Sequence, residues 1–176
     1  MNFRTALASA LLVATIAAAS PAFAHEGHHH GPQDGAAMNP LAEKVRAANA
    51  RFADISVATA EGYAPIPCVS GPAGGAMGVH FVNASRIEDG VINIARPEAV
   101  MYEPQPDGTM KLVAVEYITT KGPANLEGHL FGFLGAPNRY GLPAFYQLHV
   151  WAWQDNPVGT FADMNPTVSC DAARPQ

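Results

Sequence analysis

The chain is poor in cysteine, in charge and in the short motifs that fix a reaction. Only Cys68 and Cys170 are present among 176 residues. Neither has a neighbouring Cys or Met at ligand spacing, so a soft-metal thiolate pair is the lesser alternative to a disulfide. Beyond residue 30 there is no H-x-H pair, no C-x-x-C and no HExxH, and the one H-E-x-x-H match, His25–His29, falls in the polar tail and not on a predicted helix, so no short motif names a metal or a metalloprotease. Ser70, Ser85 and Ser169 lack a nucleophile-elbow context, and the Gly-Pro loop at 71–75 does not lead into a helix as a phosphate loop would. Charged residues make up 14% of the chain, with 15 acidic against 10 basic. No basic patch appears, which argues against nucleic acid as a partner. Apart from the first 24 residues there is no long apolar run, hence no stable membrane span.

The start of the chain is the clearest signal present. Arg4 is followed by an apolar, Ala-rich run to Ser20 and then by Pro21-Ala22-Phe23-Ala24. Ala22 and Ala24 form the A-x-A pattern of a signal-peptide cleavage site. Residues 1–24 are therefore expected to be a signal peptide, and the protein is expected in the periplasm or secreted. No Cys follows that would carry a lipid. Removal of these residues leaves 152 beginning at His25, enough for one domain with a real core. Export makes a Cys68–Cys170 disulfide the default, worth roughly 4–5 kcal/mol for a loop of about 100 residues.

Residues 25–38 are polar, Gly- and His-rich and lack an apolar period, which predicts a flexible tail. Asn39 and Pro40 suit the start of a helix. Leu41, Val45, Ala48, Phe52 and Ile55 form one apolar stripe, predicting a helix to about Ala60 with Gly62 as terminator. Residues 64–78, with three prolines and four glycines, read as irregular chain. Alternation predicts strands at 77–83, 99–103 and 110–119, the last two joined by the turn Pro104–Gly108. In 77–83, Met77, Val79 and Phe81 share a face opposite Gly78, His80 and Val82. In 110–119, Val113, Val115 and Tyr117 oppose Leu112, Ala114, Glu116 and Ile118. Residues 84–97 combine Asp89-Gly90 with a short apolar run, and 129–134 read as a short strand or pocket wall. Residues 145–153 are aromatic and β-branched throughout, apolar on both faces, and predict a strand covered on both sides.

One N-terminal helix followed by antiparallel strands gives an α+β fold, the helix packed on a curled sheet across a single domain at 39–176. A small β-barrel with a peripheral helix is the alternative. The pieces Met77-Gly78-Val79-His80-Phe81-Val82-Asn83, Pro97-Glu98, Met101-Tyr102-Glu103-Pro104 and Leu112-Val113-Ala114-Val115-Glu116-Tyr117 resemble a family of exported bacterial proteins. So do Asn138-Arg139-Tyr140-Gly141, His149-Val150-Trp151-Ala152-Trp153, Asn156-Pro157-Val158-Gly159, Asn165-Pro166 and Cys170. The resemblance spans roughly residues 40–171. It implies no activity, and it places the His-rich tail outside the shared domain.

Of the seven histidines, His80, His129 and His149 fall in or beside the predicted core. His80, His149 and Glu116 sit mid-strand among apolar neighbours. A carboxylate buried there costs several kcal/mol unless it is partnered or protonated. Adjacent strands can bring His80, Glu116 and His149 to one face, a set suited to Zn²⁺, Fe²⁺, Mn²⁺ or Cu²⁺. A water-held fourth position would permit hydrolysis or redox chemistry. A His149–Glu116 structural pair is the plainer alternative, with Tyr102, Tyr117 and Tyr146 as further polar partners. Trp151 and Trp153 share the His149 face, as core or as an aromatic wall for a small ligand. Glu98, Glu103 and Glu127 are candidate second carboxylates of an acid/base pair. In the tail, His25, His28, His29 and His30 offer imidazoles to Cu²⁺, Ni²⁺ or Zn²⁺.

These residues lead to an exported transition-metal-binding protein, with the tail as loose collector and the core as tighter site. The metal would be copper, zinc, nickel or iron, and no organic cofactor is indicated. A small metal-dependent enzyme with an aromatic-lined pocket, and a structural exported domain without small-molecule chemistry, are the alternatives.

Overall fold

The computed structural model describes residues 38–72 and 74–173. The signal peptide expected at 1–24 and all of the expected tail except Met38 lie outside the described residues, and with them His25, His28, His29 and His30.

Asn39 caps the first helix, α1 (Pro40–Asn49), its side-chain oxygen accepting from the Leu41 amide at 2.9 Å. The single helix expected to Ala60 is broken. Asn49 is buried and its Nδ2 donates to the Val45 and Ile94 carbonyls, at 3.0 and 2.8 Å. Such bonds compete with the helical ladder, and the chain tightens into a 3₁₀ turn at Ala50–Ala53. Asp54 then caps a separate helix, α2 (Ile55–Ala60). The apolar stripe survives the break: Leu41, Val45 and Phe52 are buried against the sheet.

Six strands form that sheet: β1 (Ala64–Ser70), β2 (Ala76–Val82), β3 (Ala99–Pro104), β4 (Met110–Thr119), β8 (Phe145–Val150) and β7 (Gly132–Leu134), in that spatial order and all antiparallel. The sheet curls into a half-barrel and the helices pack on it, the α+β arrangement expected. A short separate hairpin pairs β5 (Asn125–Leu126) with β6 (His129–Leu130). A further helix, α3 (Ala84–Asp89), lies between Asn83, whose side chain accepts from the Arg86 amide, and Gly90 at φ +66°. It is a six-residue helix that the apolar pattern did not signal.

Strand β1 takes up Ala64–Ser70 of the segment expected to be irregular at 64–78, and β2 begins at Ala76, leaving only the connection between them outside strands. Pro65 and Pro67 lack amide donors, and β1 occupies the outer edge of the sheet, where an unmade ladder bond can face water. Two alternation patterns also shift. Gly78 takes φ +86°, and a Cβ there would lie 2.6 Å from the Tyr102 carbonyl oxygen. The reversal carries Met77 away from Val79 and Phe81 and packs it with Ala76 and Met101. In β4 a bulge lies opposite Met101–Tyr102, where Ala114 and Leu112 are the successive partners and Val113 is the extra residue. Leu112 therefore joins Val115 and Tyr117 in the helix-side core, while Val113 joins Ala114 and Trp151 on the opposite face.

The sheet thus separates two unequal interiors. The helix side holds the main core, including Phe52, Tyr63, Tyr102, Tyr117 and Leu148. The other side holds two small apolar groups, one around Met101, Val113, Trp151 and Val168, the other around Ile87, Ile118 and Phe145. The loop at 135–143 and the C-terminal segment lie over this second face. The C-terminal segment is anchored twice: Ala76 and Asn165 exchange backbone hydrogen bonds at 3.1 Å, and Cys68 is bonded to Cys170 across 102 residues. Among the described residues no helix is long and apolar enough to cross a membrane.

Replacing both cysteines by alanine should lower unfolding free energy by about 4–5 kcal/mol, as the loop-entropy argument requires. Urea denaturation of the two forms measures it. A loss under about 1 kcal/mol would show that the Asn165 bridge and Val168 packing alone hold the C-terminal segment.

Candidate metal centre

Between the two small apolar groups, the second face of the sheet is polar and closed. His80 (β2), Glu116 (β4) and His149 (β8) are each fully buried, and one ligand atom from each lies within 4.8 Å of the others. The convergence expected from the strand pattern is therefore present. Register explains part of it, because Glu116 stands directly opposite His149. On its other side Glu116 faces Ala99, and Met101, the cross-strand partner of His80, faces Ala114. The two alanines are small and buried. They leave room for His80 to reach Glu116 across the intervening strand.

His80 Nε2 lies 3.4 Å from Glu116 Oε2, and His149 Nε2 lies 3.8 Å from Glu116 Oε1. Neither contact is aligned as a hydrogen bond. His80 Nε2, His149 Nε2 and Glu116 Oε1 are all buried polar atoms without a hydrogen-bond partner. Three such atoms facing a common point would be costly in a purely structural network. Ligands about 2.1 Å from a tetrahedral ion stand about 3.4 Å apart; His149 Nε2 and Glu116 Oε1 are 3.8 Å apart, and the ligand atoms of the three residues lie within 4.8 Å of one another. The cluster is thus able to hold a metal ion.

The surrounding groups prepare the same atoms. Asp163 Oδ1 is 3.1 Å from His149 Nδ1, so it accepts the Nδ1 proton and leaves the lone pair on Nε2. At His80 Nδ1 the Gly78 carbonyl, an acceptor, and Arg139 Nη1, a donor, both lie at 3.4 Å; a metal on Nε2 goes with the tautomer that donates to Gly78. Tyr140 OH donates to Glu116 Oε2 at 2.6 Å, leaving Oε1 for a ligand. Burial, the nearby Arg139 charge and His149 together hold the His80 pKa well below the ordinary imidazole value, so His80 is neutral. Burial also acts to lower His149, but the carboxylates of Glu116 and Asp163 outweigh it and raise its pKa. Burial raises Glu116 against the opposing pull of His149 and Tyr140. The strained partner of the set is the carboxylate, which gains most from a cation.

Sequence reasoning placed other residues here that belong elsewhere. Tyr102 and Tyr117 donate to the Phe52 and Ile94 carbonyls on the helix side, and Tyr146 packs against that same core. Trp151 is buried, its indole donating to the Ala162 carbonyl at 2.6 Å, whereas Trp153 lies past the end of β8 and packs on the helix-side core. The two tryptophans therefore form no shared aromatic wall. His129 stacks on Phe161, 4.3 Å between centroids, and takes no part in the cluster. Glu103 accepts from the Ser169 amide and Glu127 pairs with Lys44 at the surface. Glu98 is buried and accepts from the Ile118 amide at 2.9 Å. Tyr140, Asp163 and Arg139 were not foreseen as parts of the site. Arg139 and Tyr140 fall in the Asn138–Gly141 motif, a polar insertion in a loop, and that was the only signal available.

The chain matches no family model, no curated protein and no solved structure.

Glu98 gives a pH dependence separable from the cluster. Burial raises its pKa from 4.5 to about 8 in the folded state. Between those values the folded protein holds a proton that the unfolded chain has released, so stability is full below pH 4.5 and is lost as pH rises toward 8. The loss from pH 5 to pH 8 is on the order of 3–4 kcal/mol. Glu98→Gln should flatten the curve by that amount, as measured by urea denaturation of both forms across the range. Parallel curves would show that Glu98 is ionised in the fold.

Proposed function

We propose that the protein is an exported transition-metal-binding protein whose core site is His80, Glu116 and His149, with His25, His28, His29 and His30 as a looser collecting tail. The observation that carries this is the set of three buried, unpartnered ligand atoms facing one another. Two imidazoles and one carboxylate suit borderline ions, with Cu²⁺ first in intrinsic affinity and Ni²⁺ ahead of Fe²⁺, and Zn²⁺ suited by its preference for N and O ligands in a tetrahedral site. All three ligands are fully buried, and Asp163, Gly78 and Tyr140 hold them in ligating orientation. Such fixed outer partners favour tight retention over rapid exchange. The signal-like start of the chain and the Cys68–Cys170 bond agree with an oxidising, exported setting.

A metal-dependent enzyme is the second reading. A cleft of about 170 Å³ lies beside the cluster, lined in part by Tyr140 and Asp163. It would hold a small molecule next to the outer partners of the ligands, the three ligands themselves being buried behind its wall.

Residues 25–176 and 39–176, prepared without an affinity tag, should each be titrated with Zn²⁺ and with Cu²⁺ by calorimetry, alongside elemental analysis. The shorter form should bind close to one equivalent, and Glu116→Ala or His149→Ala should weaken that binding by about a hundredfold or more, as loss of a ligand requires. Binding confined to the longer form would assign metal to the tail and leave the core structural. Asp163→Asn should cost about 10–100-fold in metal affinity while the fold is kept. An unchanged dissociation constant would show that Asp163 does not orient His149.

A further inference from the structure

Arg139 stands beside the cluster without an ion-pair contact among the described residues, and the Glu116 charge reaches it only at longer range. Its Nη2 donates to the Pro67 carbonyl at 2.6 Å and its Nη1 reaches Met77 Sδ at 3.5 Å. Nη1 also lies 3.4 Å from His80 Nδ1; with a metal on Nε2 that nitrogen carries the ring proton and has no lone pair to offer the guanidinium. Among the described residues no carboxylate oxygen lies within ion-pair distance of the guanidinium, and its Nε donates to nothing. Burial works against this charge and lowers the guanidinium pKa. A half-buried guanidinium held by one carbonyl and one thioether is under-used, because its fork is built to grip a planar oxyanion through two parallel bonds.

The fork borders the cleft of about 170 Å³, whose wall also includes Met77, Leu134, Tyr140, Gln147 and Asp163. Three of these lining residues contact the cluster, one ligand each: Arg139 at His80, Tyr140 at Glu116 and Asp163 at His149. Cleft and cluster therefore share a wall. The charge balance depends on the ion. Without it, Glu116 and Asp163 set negative charge against any incoming anion. With a divalent ion bound, the two carboxylates are matched by the metal and Arg139 remains as one positive charge in excess. The volume equals roughly five or six waters, room for a solute of about two to four carbons with its head group. The apolar part of the wall, Met77 and Leu134, suits an alkyl end.

We infer that this cleft binds a small aliphatic carboxylate, its oxygens gripped by Arg139 and its alkyl end against Met77 and Leu134. The inference rests on the metal reading above, since the bound ion supplies the excess charge. It gives the metal-loaded protein an organic ligand and not only an ion.

The test uses sodium propionate as probe and propionamide as its uncharged counterpart, titrated by calorimetry into residues 25–176 saturated with Zn²⁺. Zinc in the core is counted as the equivalent that Glu116→Ala loses. Propionate should bind one to one, with a Kd at or below about 1 mM for so small a solute, and propionamide should bind about tenfold more weakly or not at all. Arg139→Gln should weaken propionate binding by about tenfold or more. Leu134→Trp, which adds bulk to the apolar side of the cleft, should abolish it. Core zinc with no propionate binding overturns this inference and leaves the metal reading standing. Propionate binding that is indifferent to Arg139→Gln or to Leu134→Trp also overturns it. Absence of core zinc overturns both.

Discussion

Glu116 is a carboxylate at the centre of a sheet, sealed from water and set between two imidazoles. A charge in that position cannot be left to solvent, and the neighbouring structure is arranged around it. Tyr140 gives one oxygen a hydrogen bond. The second oxygen and the two facing nitrogens have no hydrogen-bond partner among the described residues. A cation resolves all three at once. The same desolvation that makes the bare cluster expensive makes the cluster selective for a partner of positive charge.

The elements around the cluster serve to hold its outer partners. Asp163 belongs to irregular chain, where a side chain would ordinarily be poorly fixed. It is held by the paired backbone bonds of Asn165 with Ala76 and by the Cys68–Cys170 bond a few residues on. The same disulfide packs between the two interiors, Cys68 on the helix-side core and Cys170 on the group around Met101 and Trp151. Pro67, next to Cys68, supplies the carbonyl that holds Arg139. The edge strand, the C-terminal segment and the loop at 135–143 are in this way tied to one another over the site.

The ligand residues were legible because burial leaves a mark in a strand pattern. His80, Glu116 and His149 interrupt apolar alternation, and an interruption on a covered face must be compensated. The hairpin of β3 and β4 and the doubly covered strand β8 were legible for the same reason. The outer partners were not. Tyr140, Asp163 and Arg139 lie in loops, where no period relates a residue to the sheet beneath it. The aromatic wall expected of Trp151 and Trp153 failed because β8 ends at Val150, so alternation no longer governs Trp153. The faces of Met77, Leu112 and Val113 were misassigned because a positive φ at Gly78 and a bulge in β4 each shift alternation by one residue. Such local reversals carry no compositional signature beyond the glycine itself.

By itself the sequence determined the fold class, the principal strands, the cysteine pair and the three candidate ligands, all of which follow from local period and from the cost of burying polar groups. Only the tertiary structure decided that His80 reaches Glu116 across an intervening strand through the space left by Ala99 and Ala114. It alone decided which oxygen of Glu116 is free, and that an arginine without an ion-pair contact among the described residues stands at the cluster's edge. Those facts depend on sheet curvature, bulges and loop anchoring, which are set by contacts between residues far apart in the chain.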